Sequence, residues 1–62
     1  MIVINKIMIM NCDLRCKTGF VVKGEPVQIV RIRDNDLVDV INLRNQLIFK
    51  VPINCLLDFN QQ

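Results

Sequence analysis

Three cysteines are the most reactive side chains in this 62-residue sequence, and their neighbours decide what they can do. Cys12 and Cys16 form a C-x3-C pair in a polar stretch, and Cys55 lies far downstream. A tetrahedral structural zinc site draws on Cys and His. The chain has no His, which leaves Asp13 as the nearest further donor. The C-x-x-C spacing of thiol redox motifs is absent. A cysteine nucleophile needs an adjacent base, and with no His to supply one, Lys17 beside Cys16 would lower that thiol's pKa only slightly. Ser is missing along with His, which removes Ser–His hydrolysis and imidazole proton shuttles together. The expectation is a non-enzymatic protein with no catalytic residue, no metal, no cofactor and no small-molecule substrate. An odd thiol count without a secretion signal reads as reduced cysteines in the cytoplasm.

The basic side chains offer a second chemistry. Arg31 and Arg33 stand two apart on one expected strand and so share a face. With Arg44, Lys50 and Lys17 they could form a strip for nucleic-acid phosphates. Asp34, Asp36 and Asp39 follow at once, and the net charge is only +2. There is no Tyr or Trp, and only three Phe, to stack on bases. A small RNA- or DNA-binding barrel using Arg31, Arg33, Arg44 and Lys50 is therefore the alternative reading. A solvated face with cross-strand ion pairs is the plain one.

The elements that would position these residues read as strands. Ala, the best helix former, is absent, while β-branched Ile and Val supply more than a quarter of the chain. Turn signals cut the sequence into short apolar runs. They are Ile2–Met10, Phe20–Val22, Val27–Arg33, Leu37–Ile41 and Leu47–Val51, with polar Asn11–Gly19, KGEP at 23–26 and Asp34-Asn35-Asp36 between them. The tail from Ile53 to Phe59 has room for one helical turn and a last short strand. No apolar run approaches the roughly 20 residues that span a bilayer, so no membrane segment is expected. A chain of this length makes one domain that buries only roughly 60% of its unfolded surface. The economical answer is an all-β, five-stranded barrel, because closure removes exposed strand edges. Residues 1–6 would add an N-terminal strand segment, 7–59 the barrel, and 60–62 a frayed tail.

Two stretches then show a resemblance. VKGEPVQIV (Val22 to Val30) resembles the diverging turn and second strand of Src-homology-3 domains, with Gly24 suited to positive φ and Val27 and Ile29 pointing inward. VPINCLLDF (Val51 to Phe59) is similar to the family's Val-Pro-Ser-Asn-Tyr-Val ending, with Pro52 and Asn54 at its Pro and Asn. The resemblance spans about Ile7 to Phe59 and implies a Src-homology-3-like barrel with one short helical turn before the last strand. It does not carry the family's grip on Pro-rich peptides, which needs a groove walled by aromatic side chains. Leu37 stands in place of the Trp and Cys55 in place of the Tyr, and the first-strand aromatic motif has no counterpart around Ile9, Met10 and Asn11.

One anomaly points to an interface. In IVINKIMIM both strand parities are apolar, with Ile7 and Ile9 on one side and Met8 and Met10 on the other. One interior cannot cover both. With Ile7 and Ile9 inward, the outward set is Met1, Val3, Met8 and Met10, an adaptable apolar face for a protein partner or a second copy. Leu37, Pro52 and Cys55 are the remaining contact candidates. The break between Val27, Ile29 and Val30, Ile32 adds apolar surface or marks a bulge. The expected function is a small accessory subunit or regulator acting by protein contact, forming a complex or a homo-oligomer.

Overall fold

A computed structural model describes residues 2–59; Met1 and the expected tail 60–62 lie outside the described residues. The strands are β1 (Ile7–Met10), β2 (Leu14–Cys16), β3 (Gly19–Val21), β4 (Pro26–Ile32), β5 (Leu37–Asn42) and β6 (Ile48–Pro52). A 3-10 turn (Ile53–Cys55) then leads into β7 (Leu56–Asp58). Five strands make one antiparallel sheet in the order β6-β5-β4-β1-β7, and β2–β3 form a separate hairpin. That hairpin arises within the polar stretch, where Lys17 and Thr18 turn the chain between Cys16 and Gly19.

The all-β expectation holds, but the sheet does not close into a barrel: β6 and β7 are its edges and no ladder joins them. They are nonetheless consecutive in the chain, joined by the three residues of the 3-10 turn. A flat sheet of this width would hold its edges roughly 19 Å apart. A turn of that kind rises only about 6 Å. The sheet must therefore curl until the end of β6 approaches the start of β7, and the turn bridges the gap that hydrogen bonds do not.

Curling buries one face. Cross-strand partners on it are Met8 with Val27, Met10 with Leu56, Ile29 with Val40, Val40 with Phe49, and Val38 with Val51. All belong to one core cluster, which Val21 of the hairpin joins. The ladder between β4 and β5 slips between Ile29 and Arg31. The apolar phase break in the sequence is thus a bulge, with Val30 as the extra, exposed residue.

Strand β1 faces the opposite way from the sequence reading. Met8 and Met10 are buried in the core, and Ile7 is exposed. The cause is register: Met8 lies opposite Val27, a core residue, so Met8 and Met10 turn inward together. Unbranched thioethers fill the irregular space inside a curled sheet well. Ile9 is also buried, although it has the parity of Ile7. The expected strand segment ahead of β1 is a turn instead. Asn5 takes φ 74°, the Lys6 N–H donates to the Val3 carbonyl at 3.2 Å, and Val3 and Ile4 are exposed. Asn tolerates this left-handed conformation better than the β-branched residues around it. Bonds from Asn5 N–H to the Ile29 carbonyl (2.7 Å) and from Ile29 N–H to the Lys6 carbonyl (2.9 Å) tie the turn to β4, and Ile2 packs on the core.

Candidate functional site

The strand register assembles an apolar row on the outer face of the sheet. Ile48 lies opposite Ile41, Ile41 opposite Gln28, and Gln28 opposite Ile7, so the row crosses β6, β5, β4 and β1. Ile48 is 58% exposed and Ile7 41%, while Ile41 and Gln28 are half-buried. The Gln28 amide donates to the Asn5 carbonyl at 3.1 Å, which occupies its polar end locally. Exposed Val30 widens the row at the bulge, and exposed Leu57 of β7, opposite Ile9, extends the apolar surface past β1. No charged residue stands within the row. The sequence reading missed Ile41 and Ile48. The signal was the alternation of Ile48-Phe49-Lys50-Val51, in which an inward Phe49 and Val51 require an outward Ile48.

Beside the row lies a charge cluster built round one carboxylate. Asp39, largely buried, faces Arg31 on one flank and Lys50 on the other, and its Oδ1 accepts from Arg33 Nε at 2.7 Å. That bond and charge hold the Arg33 guanidinium above its ordinary pKa. Arg44 is elsewhere: its Nη1 donates to Glu25 Oε2 at 2.7 Å. The four basic candidates therefore do not form one strip. Three gather round a single carboxylate, and the fourth serves another.

Glu25, which the sequence reading assigned to the turn at 23–26, forms a buried polar node with Asn42. Glu25 Oε1 accepts from the Val22 N–H at 2.8 Å and from Asn42 Nδ2 at 3.4 Å. Asn42 Oδ1 accepts from the Arg44 N–H at 3.0 Å, and the Asn42 main chain bonds Leu47 and Gln46. Gly24, at φ 94°, supplies the turn that aims Glu25 inward. The node pins the turn before β4 to the β5–β6 hairpin.

The remaining candidates separate. Leu37 and Pro52 are directly paired at the far end of β5 and β6, where Pro52 also lines a shallow groove with Asn35, Asp36, Ile53 and Asn54. Val3 is exposed on the N-terminal turn. Cys55 sits at the other end of the 3-10 turn and has Cys12 as its thiol neighbour. The C-x3-C pair is thus not the pair the fold makes. Cys16 is exposed and meets Thr18 Oγ1 at 3.3 Å, a contact that lowers its pKa. The hydrogen bond to Cys55, with burial second, pushes the Cys12 thiol up to about 11. Among the described residues no three His, Cys, Asp or Glu gather where they could hold a metal ion, and no helix is long and apolar enough to cross a membrane. No family model matches this chain, and neither a curated protein nor a solved structure shows significant similarity to it.

Proposed function

We propose that this chain is a small non-enzymatic interaction module that seats on protein through the outer face of its sheet. The observation that carries the reading is the uncharged row Ile7–Gln28–Ile41–Ile48, which crosses four strands, is exposed at Ile7 and Ile48, and is bordered by the Asp39 cluster. Apolar patches with polar rims are what docking surfaces look like. A second copy is the occupant the row suits, because two such rows meet across a two-fold axis without opposing like charges. The order of diverging turn, hairpin and helical turn before the last strand supports the resemblance to Src-homology-3-like folds. The two pairings Arg33–Asp39 and Arg44–Glu25 weigh against a nucleic-acid strip.

Light scattering across a micromolar concentration series tests this. The expected result is a dimer that Ile48→Asp and Ile7→Asp each convert to a folded monomer. A wild-type monomer overturns the second-copy occupant. If that monomer also retains no protein that the Ile48→Asp variant loses, the interaction module itself is overturned. Retention on heparin with steep salt dependence would put the nucleic-acid reading in its place.

A further inference from the structure

The pairing of β1 with β7 runs Met8–Asp58, Ile9–Leu57 and Met10–Leu56, then continues one step beyond both strands. There the Asn11 N–H donates to the Cys55 carbonyl at 2.7 Å. This brings Cys12, in the bend after β1, beside the 3-10 turn that carries Cys55, whose thiol is the main influence on that of Cys12. Both residues are half-buried, and Cys12 also packs on the core. Cys16 is held apart by its contact with Thr18 on the β2–β3 hairpin.

We propose that Cys12 and Cys55 are a disulfide-forming pair that, oxidised by a small disulfide of the glutathione class, clamps the last strand to β1. The clamp falls on a short edge strand. Strand β7 has three residues, lies at the sheet edge and pairs with no strand but β1 among the described residues. The exchange is balanced within the two partners. One cysteine thiolate attacks the external disulfide, forms a mixed disulfide and expels one small thiolate. The second cysteine thiolate then attacks the protein sulfur of that mixed disulfide and expels the other. The two electrons pass to the external disulfide, and the two cysteine protons end on the two small thiols released. Because the ring closed by this bond takes in most of the chain, the covalent link removes much of the freedom of the unfolded state.

The experiment uses the full reduced chain incubated with oxidised glutathione at about pH 8, followed by intact mass and tryptic mapping. Trypsin cuts after Lys6, Arg15, Lys17 and Lys50, so the three thiols fall in separate peptides. The expected product is a monomer lighter by about two mass units. Its peptide Ile7–Arg15 is joined to Val51–Gln62, and its thermal midpoint is raised by roughly 10 °C. Cys16→Val should oxidise in the same way. Glutathione adducts that persist on Cys12 or Cys55 without ring closure, or a cross-link through Cys16, would overturn the pairing. A linked product whose midpoint does not rise would overturn the clamp. Both readouts are taken on the wild-type chain and do not require a cysteine variant to fold.

Discussion

Truncating Met10 and truncating Ile7 are changes three residues apart on one strand, and the fold assigns them very different costs. Met10 is 1% exposed and ranks among the largest fully buried side chains, so Met10→Ala leaves a cavity in the core. Such truncations cost about 2–5 kcal/mol. Ile7 is already 41% exposed on the outer face. Its truncation forfeits only part of the 1.5–3 kcal/mol that full burial provides, about 1 kcal/mol. The whole domain, at this length, has on the order of 3–9 kcal/mol to lose. Met10→Ala therefore removes a large share of the stability, and Met10→Asp, which puts an unpaired carboxylate in the same place, should leave the chain unfolded. Urea titration followed by far-ultraviolet circular dichroism is the assay, since the chain has no Trp or Tyr to report by fluorescence. With a slope of about 1 kcal/mol per molar urea, Met10→Ala should lower the midpoint by roughly 2 M or more, and Ile7→Ala by roughly 1 M. Equal shifts, or a larger one for Ile7, would mean that β1 pairs one residue out of register. The outer row would then lose Ile7.

Other perturbations have equally definite outcomes. Asn42→Ala should cost about 1–3 kcal/mol in the same titration, because it leaves the part-buried Arg44 N–H without its acceptor and removes the amide that bonds the buried Glu25 carboxylate; Arg44→Met, which removes a mostly exposed partner of Glu25, should cost under about 1 kcal/mol. The Cys12 thiol is an acid whose folded pKa is raised, so the stability it contributes is full below its ordinary value of 9.0 and lost as pH climbs towards about 11. Alkylation rates should accordingly rank Cys16 ahead of Cys12 at neutral pH, and peptide mapping after a short pulse of iodoacetamide checks the order. Asp58 is held below its ordinary pKa by the Lys6 ammonium at 2.8 Å, so its contribution is present above 3.8 and lost as pH falls through the lowered value. Lys6→Met should blunt that acid loss in pH-dependent urea midpoints.

The parts of the fold that were legible in the sequence are those with a single consistent signal. The inward parity of Val27 and Ile29 and the short helical turn after Pro52 each followed from one local pattern, whereas the phase break at Val30 fitted either extra apolar surface or a bulge until the β4–β5 register showed the bulge. Strand β1 lacked such a pattern. Every residue of Ile7–Met10 is apolar, so period-two reasoning returns two equally good faces, and only the pairing of Met8 with Val27 chooses between them. The same limit hid the Cys12–Cys55 neighbourhood and the Glu25–Asn42 node. Each is a contact between distant segments that exists only once the sheet has curled. Barrel closure was expected because edges are a liability, yet that argument weighs only the hazard of edges and not the other ways of guarding them.

Those other guards are present, and they bear on how the chain can associate. At β6, the bonds Asn42 N–H to Leu47 and Ile53 N–H to Asp36 bracket the ladder with β5. Antiparallel alternation then turns the main-chain groups of Ile48 and Lys50 outward. Pro52, next in that series, has no N–H to offer, and Lys50 puts a charge in the middle of the strand. At the opposite edge β7 is three residues long and ends at Asp58, which is ion-paired with Lys6. An incoming strand would find a short ladder at either edge, flanked by charge or interrupted by proline. The outer row carries no such obstacle. Its four members are uncharged; Arg31, Arg33 and Lys50 stand around Asp39 beside it, and Lys6, before Ile7, is ion-paired with Asp58. An open sheet with guarded edges and an unguarded face favours association by stacking faces over joining edges, which is why the proposed contact rests on Ile7, Ile41 and Ile48.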